Sequence, residues 1–172
     1  MRRKFIATLT ALMAAILITT TVFAGAIKLR GVSFSLGSLI AQGTLTGLGN
    51  QEAKVLLDAS GFPVISCTNH GGNQAPGQNP PKVSASGEQL VTGLDLTKKN
   101  GKSPFDVETS DPQFVDPIEY GCPNDNWTAQ IEFIYWTDAT IRVVDPETEE
   151  VFLSQDFTCE TTLTTVSCTP VQ

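Results

Sequence analysis

The chain is short of charge and nearly devoid of histidine: 17% of its 172 residues are charged and His70 is the single imidazole. Any Ser/His/Asp triad or Cys/His zinc site would have to use that residue, and its setting hints at neither. No Gly-x-Ser-x-Gly elbow and no Cys-x-x-Cys pair occurs. Soluble domains carry roughly 25% charged residues, so the low charge argues against a charge-rich disordered protein or a long charged coiled coil. Acidic residues outnumber basic ones, 18 to 11, for a net charge of -7. That sign excludes nucleic acid as the expected partner, because a phosphate backbone repels it. No stretch keeps a helical period, and no apolar segment near the C-terminus offers a stop-transfer helix or a lipid-anchor tail.

What is present begins with an address. Arg2, Arg3 and Lys4 precede an apolar run, densest from Ala11 to Ile18, and Val22-Phe23-Ala24 places small residues where a signal peptidase reads. Residues 1–24 are therefore expected to be a secretory signal peptide, cleaved after Ala24. The alternative is a retained anchor, since Phe5 to Ala24 is long enough to span a bilayer. No Cys follows the apolar run, which excludes a lipoprotein anchor. Cleavage leaves Gly25 to Gln172, 148 residues with 8 basic and 18 acidic side chains, formal charge -10. A chain of that length buries about two-thirds of its unfolded surface. It is expected as one domain outside the cell, with no stable membrane insertion.

Cys67, Cys122, Cys159 and Cys168 all lie in the mature part. An even count in a secreted chain indicates two disulfides, and four cysteines allow three connectivities. Cys122–Cys159 with Cys67–Cys168 is the preferred pairing. The rival is a local Cys159–Cys168 bridge across a terminal hairpin, which leaves Cys67–Cys122.

Short apolar or alternating runs separated by turn residues dominate the rest. Expected strands cover Val32 to Leu36, Leu39 to Leu48, Ala53 to Ala59, Phe62 to Thr68, Lys82 to Ser86 and Gln89 to Leu96. Ser60-Gly61 is expected to turn the chain, and Asn100-Gly101 to form a hairpin between Gly93–Lys98 and Ser103–Thr109. Asp111 to Asn126, with three prolines, is a loop. Trp127 to Trp136, Ala139 to Val144, Val151 to Cys159 and Leu163 to Cys168 follow, with a turn at residues 145–149. In the first of these, Ile131, Phe133 and Tyr135 share one face and Ile134 and Trp136 the other. Of Tyr135 and Trp136, one should face the core and the other an exposed sheet face. Such spacing predicts an all-β, immunoglobulin-like antiparallel sandwich with two disulfides. Residues 25 to about 40 are expected as a loose N-terminal arm.

Residues 67–81 are the distinctive segment, rich in Gly, Asn, Gln and Pro. Asn and Gln can bond neighbouring backbone and hold a loop that has no core. A self-bonded loop closing one end of the sandwich is the leading reading. The functional one is a polar recognition loop using His70, Asn73, Gln74, Gln78 and Asn79. Together with Lys99-Asn100-Gly101-Lys102 and residues 122–128, the run Cys67 to Pro80 resembles a group of uncharacterised secreted bacterial proteins over most of the mature chain. The resemblance implies secretion and a bacterial source, and no activity or catalytic residue.

Carboxylates cluster at Asp106 and Glu108, at Asp111 and Asp116, and at Asp145 with Glu147, Glu149 and Glu150. Glycoside hydrolysis needs two across a cleft, about 5–9.5 Å apart, and nothing in the sequence selects a pair. Calcium in the loop at 111–125 is chemically possible but no ordered ligand spacing appears. Trp127 is expected to begin a strand and pack near the Cys122 bridge. No catalytic residue, cofactor or metal site is assigned. The chain is expected to be a non-catalytic binding or structural module, its partner an extracellular ligand or surface component. The alternatives are a small secreted hydrolase using loop carboxylates and a structural envelope protein. Secreted material should have an intact mass that starts at Gly25; a mass that retains residues 1–24 refutes cleavage.

Overall fold

The computed structural model describes residues 26–49, 51–92, 102–112 and 116–172, all of them strand, turn or loop. The expected signal peptide and the Asn100-Gly101 hairpin lie outside the described residues. The fold is the antiparallel β-sandwich that the alternation predicted. One sheet has the order β1 (Lys28–Ser35), β2 (Ile40–Thr46), β6 (Lys102–Glu108). The other is built on two 18-residue strands, β3 (Glu52–Asn69) and β7 (Trp127–Val144), paired along their length. β5 (Val83–Thr92) flanks the first half of β3, and β4 (Gln74–Pro76) flanks its end. On the far side β8 (Val151–Thr161) pairs β7, and β9 (Val166–Pro170) pairs β8.

Strict alternation places the core. Ala53, Val55, Leu57 and Ala59 of β3 and Ala139, Ile141 and Val143 of β7 point inward, against Ala41 and Leu45 of β2 and Phe105 and Val107 of β6. Trp136 is the largest of these side chains, 1% exposed. Its indole nitrogen has no hydrogen-bond partner among the described residues, so its packing rests on area alone. Thr109 N–H donates to the Leu39 carbonyl, and Ser110 N–H to that of Ser86, closing one side of the sandwich. Gly87 lies at this closure, where a Cβ would run into the Glu108 carbonyl.

Several expectations are corrected. Ser60-Gly61 is not a turn: β3 runs straight through it, opposite a bulge that Thr137 makes in β7. A Cβ on Gly61 would lie 2.5 Å from the Tyr135 carbonyl oxygen and 2.8 Å from the Trp136 Cα, so glycine is what lets β7 pass. β7 likewise joins the two runs expected at 127–136 and 139–144, with Thr137 and Glu132 as extra residues opposite β3. The slip at Glu132 turns Ile131 to the inner side, facing Ile65, whereas Phe133 and Tyr135 face out. Residues 28–35 are no loose arm; Phe34 of β1 packs edge-on against Phe157 at 5.1 Å.

The preferred disulfide pairing is overturned. Cys67 pairs with Cys122 and Cys159 with Cys168. The second bridge follows from register, because the β8–β9 hairpin sets Cys159 directly opposite Cys168. The first staples the end of β3 to the loop before β7, where Tyr120, Trp127 and Ile131 pack around it. Neither joins the two sheets, as the bridge of an antibody domain does. Both are consistent with an oxidising extracellular environment.

Pro63 lies inside β3 without breaking it. The carbonyl of Ile65 accepts Gly77 N–H on the β4 side. By alternation Pro63 presents its nitrogen to that same side, in the gap between the end of β5 pairing at Gly61 and the start of β4 pairing at Ser66.

The bridges close segments of different length, with sequence separations of 55 and 9 residues. Chain entropy then predicts that Cys67→Ser with Cys122→Ser costs about 4 kcal/mol, and Cys159→Ser with Cys168→Ser about 3 kcal/mol. Urea unfolding of the two double variants measures this, and equal loss for both would contradict the ranking.

Candidate functional site

The outer face of the β3–β7 pair carries four apolar side chains where solvent-facing strands normally carry polar ones. Phe62 stands opposite Tyr135, and Val64 opposite Phe133. Phe62 is 52% exposed, Val64 42% and Tyr135 37%. Phe133 and Tyr135 meet edge to face at 5.0 Å. The four form a block two strands wide. Other exposed large apolar residues, such as Leu90, Ile118 and Leu163, lie on separate elements. Scattered apolar residues are ordinary on a surface, whereas contiguous ones mark interaction sites.

The rim of the block is polar. At one end Lys82 Nζ sits 5.9 Å from the Phe62 ring centre and pairs with Asp138. Asp138 also accepts from Thr137 Oγ1 at 2.8 Å and from Ser60 Oγ at 3.5 Å. A 320 Å³ depression opens there, between Asp58, Ser60, Ser84 and Asp138. At the other end Ser66 Oγ donates to Glu132. An apolar platform with a few fixed polar groups beside it has the makeup of a ligand site.

Next to the platform, on the far side of β7, lies a 420 Å³ groove. Residues 129–134 of β7 form one wall; Gly37 and Ser38 from the β1–β2 turn, with Asp111 and Pro112 after β6, form the other. Its carboxylates are Asp111 and Glu132. Asp111 Oδ1 accepts Ser38 Oγ–H at 3.0 Å.

The residues of the expected recognition loop are placed differently. His70 and Asn73 sit at the tip of the β3–β4 hairpin, Gln74 opens β4, and Gln78 and Asn79 follow it; all five are exposed. None lines the groove. The loop is ordered by a residue outside that set: Asn69 Oδ1 accepts the N–H of Gly71 and of Asn73, each at 2.9 Å. Gln78 N–H donates to the Gly121 carbonyl and so ties the loop to the segment that Cys122 anchors.

The clustered carboxylates serve local structure. Asp145 Oδ1 accepts from the N–H of Glu147 and Thr148 and caps the β7–β8 turn. Asp106 accepts from Gln42 Nε2, and Asp116 Oδ1 from Ile118 N–H. Among the described residues no three His, Cys, Asp or Glu side chains gather as metal ligands.

Sequence reasoning found Tyr135 and Trp136 on opposite faces and missed Phe62, Val64 and Phe133 as partners. The signal was there: Phe62 and Val64 alternate around Pro63, but their face is set only once β3 continues through Gly61.

The Lys82 hydrogen bond, followed by that of Thr137, holds the Asp138 carboxyl below the ordinary carboxylate value. A depressed folded value means stability that is present above the unfolded value, near 3.9, and lost as pH falls through the folded one. For so exposed a pair the contribution is small, about 0–1 kcal/mol. An NMR titration of the Asp138 carboxyl should show a midpoint below the ordinary range, and Lys82→Met should raise it; an unmoved midpoint contradicts the assignment.

No family model, curated protein or solved structure matches the chain.

Proposed function

We propose that the chain is a secreted, non-catalytic binding module of a bacterial cell exterior, which engages a ligand or surface component through the Phe62–Val64–Phe133–Tyr135 platform. The exposed aromatic block is the observation that carries this reading. Aromatic side chains offer large contact area with few rotatable bonds, and they dominate the energetics of binding surfaces. The signal-peptide pattern and the two disulfides support the location. The platform lies on the two longest strands of the fold, so its geometry is fixed before any ligand arrives and little ordering entropy is lost on binding.

A second reading has one observation in its favour. Asp111 and Glu132 line the same groove, and two carboxylates across a cleft are what a small hydrolase would use. Loss of a polysaccharide-hydrolysing activity in both Asp111→Asn and Glu132→Gln would favour it over the binding module.

The binding reading is tested with labelled mature protein and intact cells of the producing organism. Phe62→Ser with Tyr135→Ser should keep the circular dichroism and melting midpoint and bind the cells at least tenfold more weakly, about 1.4 kcal/mol. Equal retention of the variant and the parent refutes the platform.

A further inference from the structure

The groove beside the platform is bounded by a strand edge. β8 pairs β7 only from Asp138 to Val144. At the point of divergence Thr161 Oγ1 donates to the Trp136 carbonyl at 2.8 Å. Beyond it, β7 has β3 on one side and, among the described residues, no strand on the other. β8 continues instead with β9, to which Cys159–Cys168 binds it. Residues 129–134 thus turn an edge toward the groove, and Ile131 and Ile134 line it as apolar side chains.

An unpaired strand edge carries a row of backbone donors and acceptors and is a template for another strand. Trp136 directs its carbonyl to this side, so alternation directs the N–H and C=O of Ile134 there too. The groove lining has two carboxylates, Asp111 and Glu132, and no cation. The mature chain itself is acidic. Charge therefore selects between the two occupants an edge can take. A second copy paired about a twofold axis would bring two Glu132 carboxylates into one ladder, where like charges repel. A strand with Lys or Arg meets the opposite sign.

We propose that this groove accepts an extended, basic peptide segment of a partner protein, added to β7 as a further strand. Main-chain bonds to residues 129–134 supply affinity, and alternate side chains supply specificity. Those on one face reach Ile131 and Ile134 in the groove. Those on the other lie beside Phe133 and Tyr135 and extend the platform. The inference rests on the exterior-binding reading and names the class of partner for it.

The test is selection of short random peptides against the immobilised mature protein, followed by backbone amide exchange of the complexes. Enriched peptides should alternate apolar residues around Lys or Arg. They should slow exchange at the groove-facing amides of residues 129–134 at least tenfold and bind Glu132→Lys at least tenfold more weakly. Peptides that leave these amides unchanged but lose binding to Phe62→Ser with Tyr135→Ser overturn strand addition and spare the platform. Absence of enrichment while the parent still binds cells does the same. Self-association that protects the same amides overturns the peptide as occupant in favour of a second copy.

Discussion

The ladder between β3 and β7 is the constraint on which the rest of the molecule depends. Its register runs from Lys54 opposite Val144 to Asn69 opposite Trp127. Strands in globular proteins are typically about 5–6 residues long, so two of 18 residues form a spine. β5 and β4 attach to one side of it, β8 to the other, and β9 through β8. The inward residues of both strands, among them Val55, Leu57, Trp136, Ile141 and Val143, are nearly all of the large, fully buried side chains of this sheet. A ladder of this length tolerates local irregularity, because pairing on both sides of a bulge holds the register that the bulge disturbs. Thr137 and Glu132 of β7 are such points, and the face that β7 presents beyond each follows from the slip, whereas β3 alternates without a break.

This explains what was legible in the residues. Alternation located nearly every strand, because a half-buried strand needs period two whatever it pairs with. It did not show which strands were continuous. Ser60-Gly61 has the composition of a turn, and in isolation it would make one. In the fold it stays extended opposite a bulge in β7, which passes so close to Gly61 that any larger residue there would meet its backbone. The information that separates the two outcomes lies more than seventy residues away in sequence. The same blindness hid the platform: a strand begun anew at Phe62 has no defined face, whereas one continued from Ala59 in unbroken alternation must direct Phe62 and Val64 outward. Tyr135 and Trp136 were legible as opposites because no slip lies between them. Between the two disulfide pairings that the residues offered, the rival holds and the preferred one fails for a related reason, since the hairpin register that sets Cys159 against Cys168 is not a property of either cysteine's neighbours.

The polar loop and the platform differ in how much binding capacity they hold in reserve. In the loop, Asn69 and the backbone of residues 71–78 spend their hydrogen bonds on one another, on Ile65 and on Gly121. A ligand there would have to exchange one good hydrogen bond for another, with a net gain of about 0.5–1.5 kcal/mol at best. The platform has no such internal satisfaction. Each Å² of apolar surface it loses to a partner gains about 25 cal/mol, and the Lys82–Asp138 and Ser66–Glu132 pairs at its ends need not break for that to happen. Apolar area, not polar group density, is therefore the better guide to where a ligand would gain most on this surface, and polar density is the feature that stands out in the sequence.

Long strands flanked by shorter ones leave stretches of edge uncovered, and among the described residues β3 and β7 treat theirs differently. Between β5 and β4, β3 presents Pro63, whose missing N–H leaves an incoming strand without a donor at the centre of the gap. Covalent structure thus weakens addition at that edge whatever the incoming strand carries. Past the end of β8, β7 presents residues 129–134, with no proline among them. Its protection is a bulge and the single carboxylate of Glu132. A bulge distorts a ladder without removing its donors, and one charge discriminates among partners without refusing all of them. The gap in β3 thus disfavours any added strand, whereas that in β7 disfavours chiefly acidic ones, a second copy of this chain among them. A sequence under pressure only to stay soluble could have used proline twice.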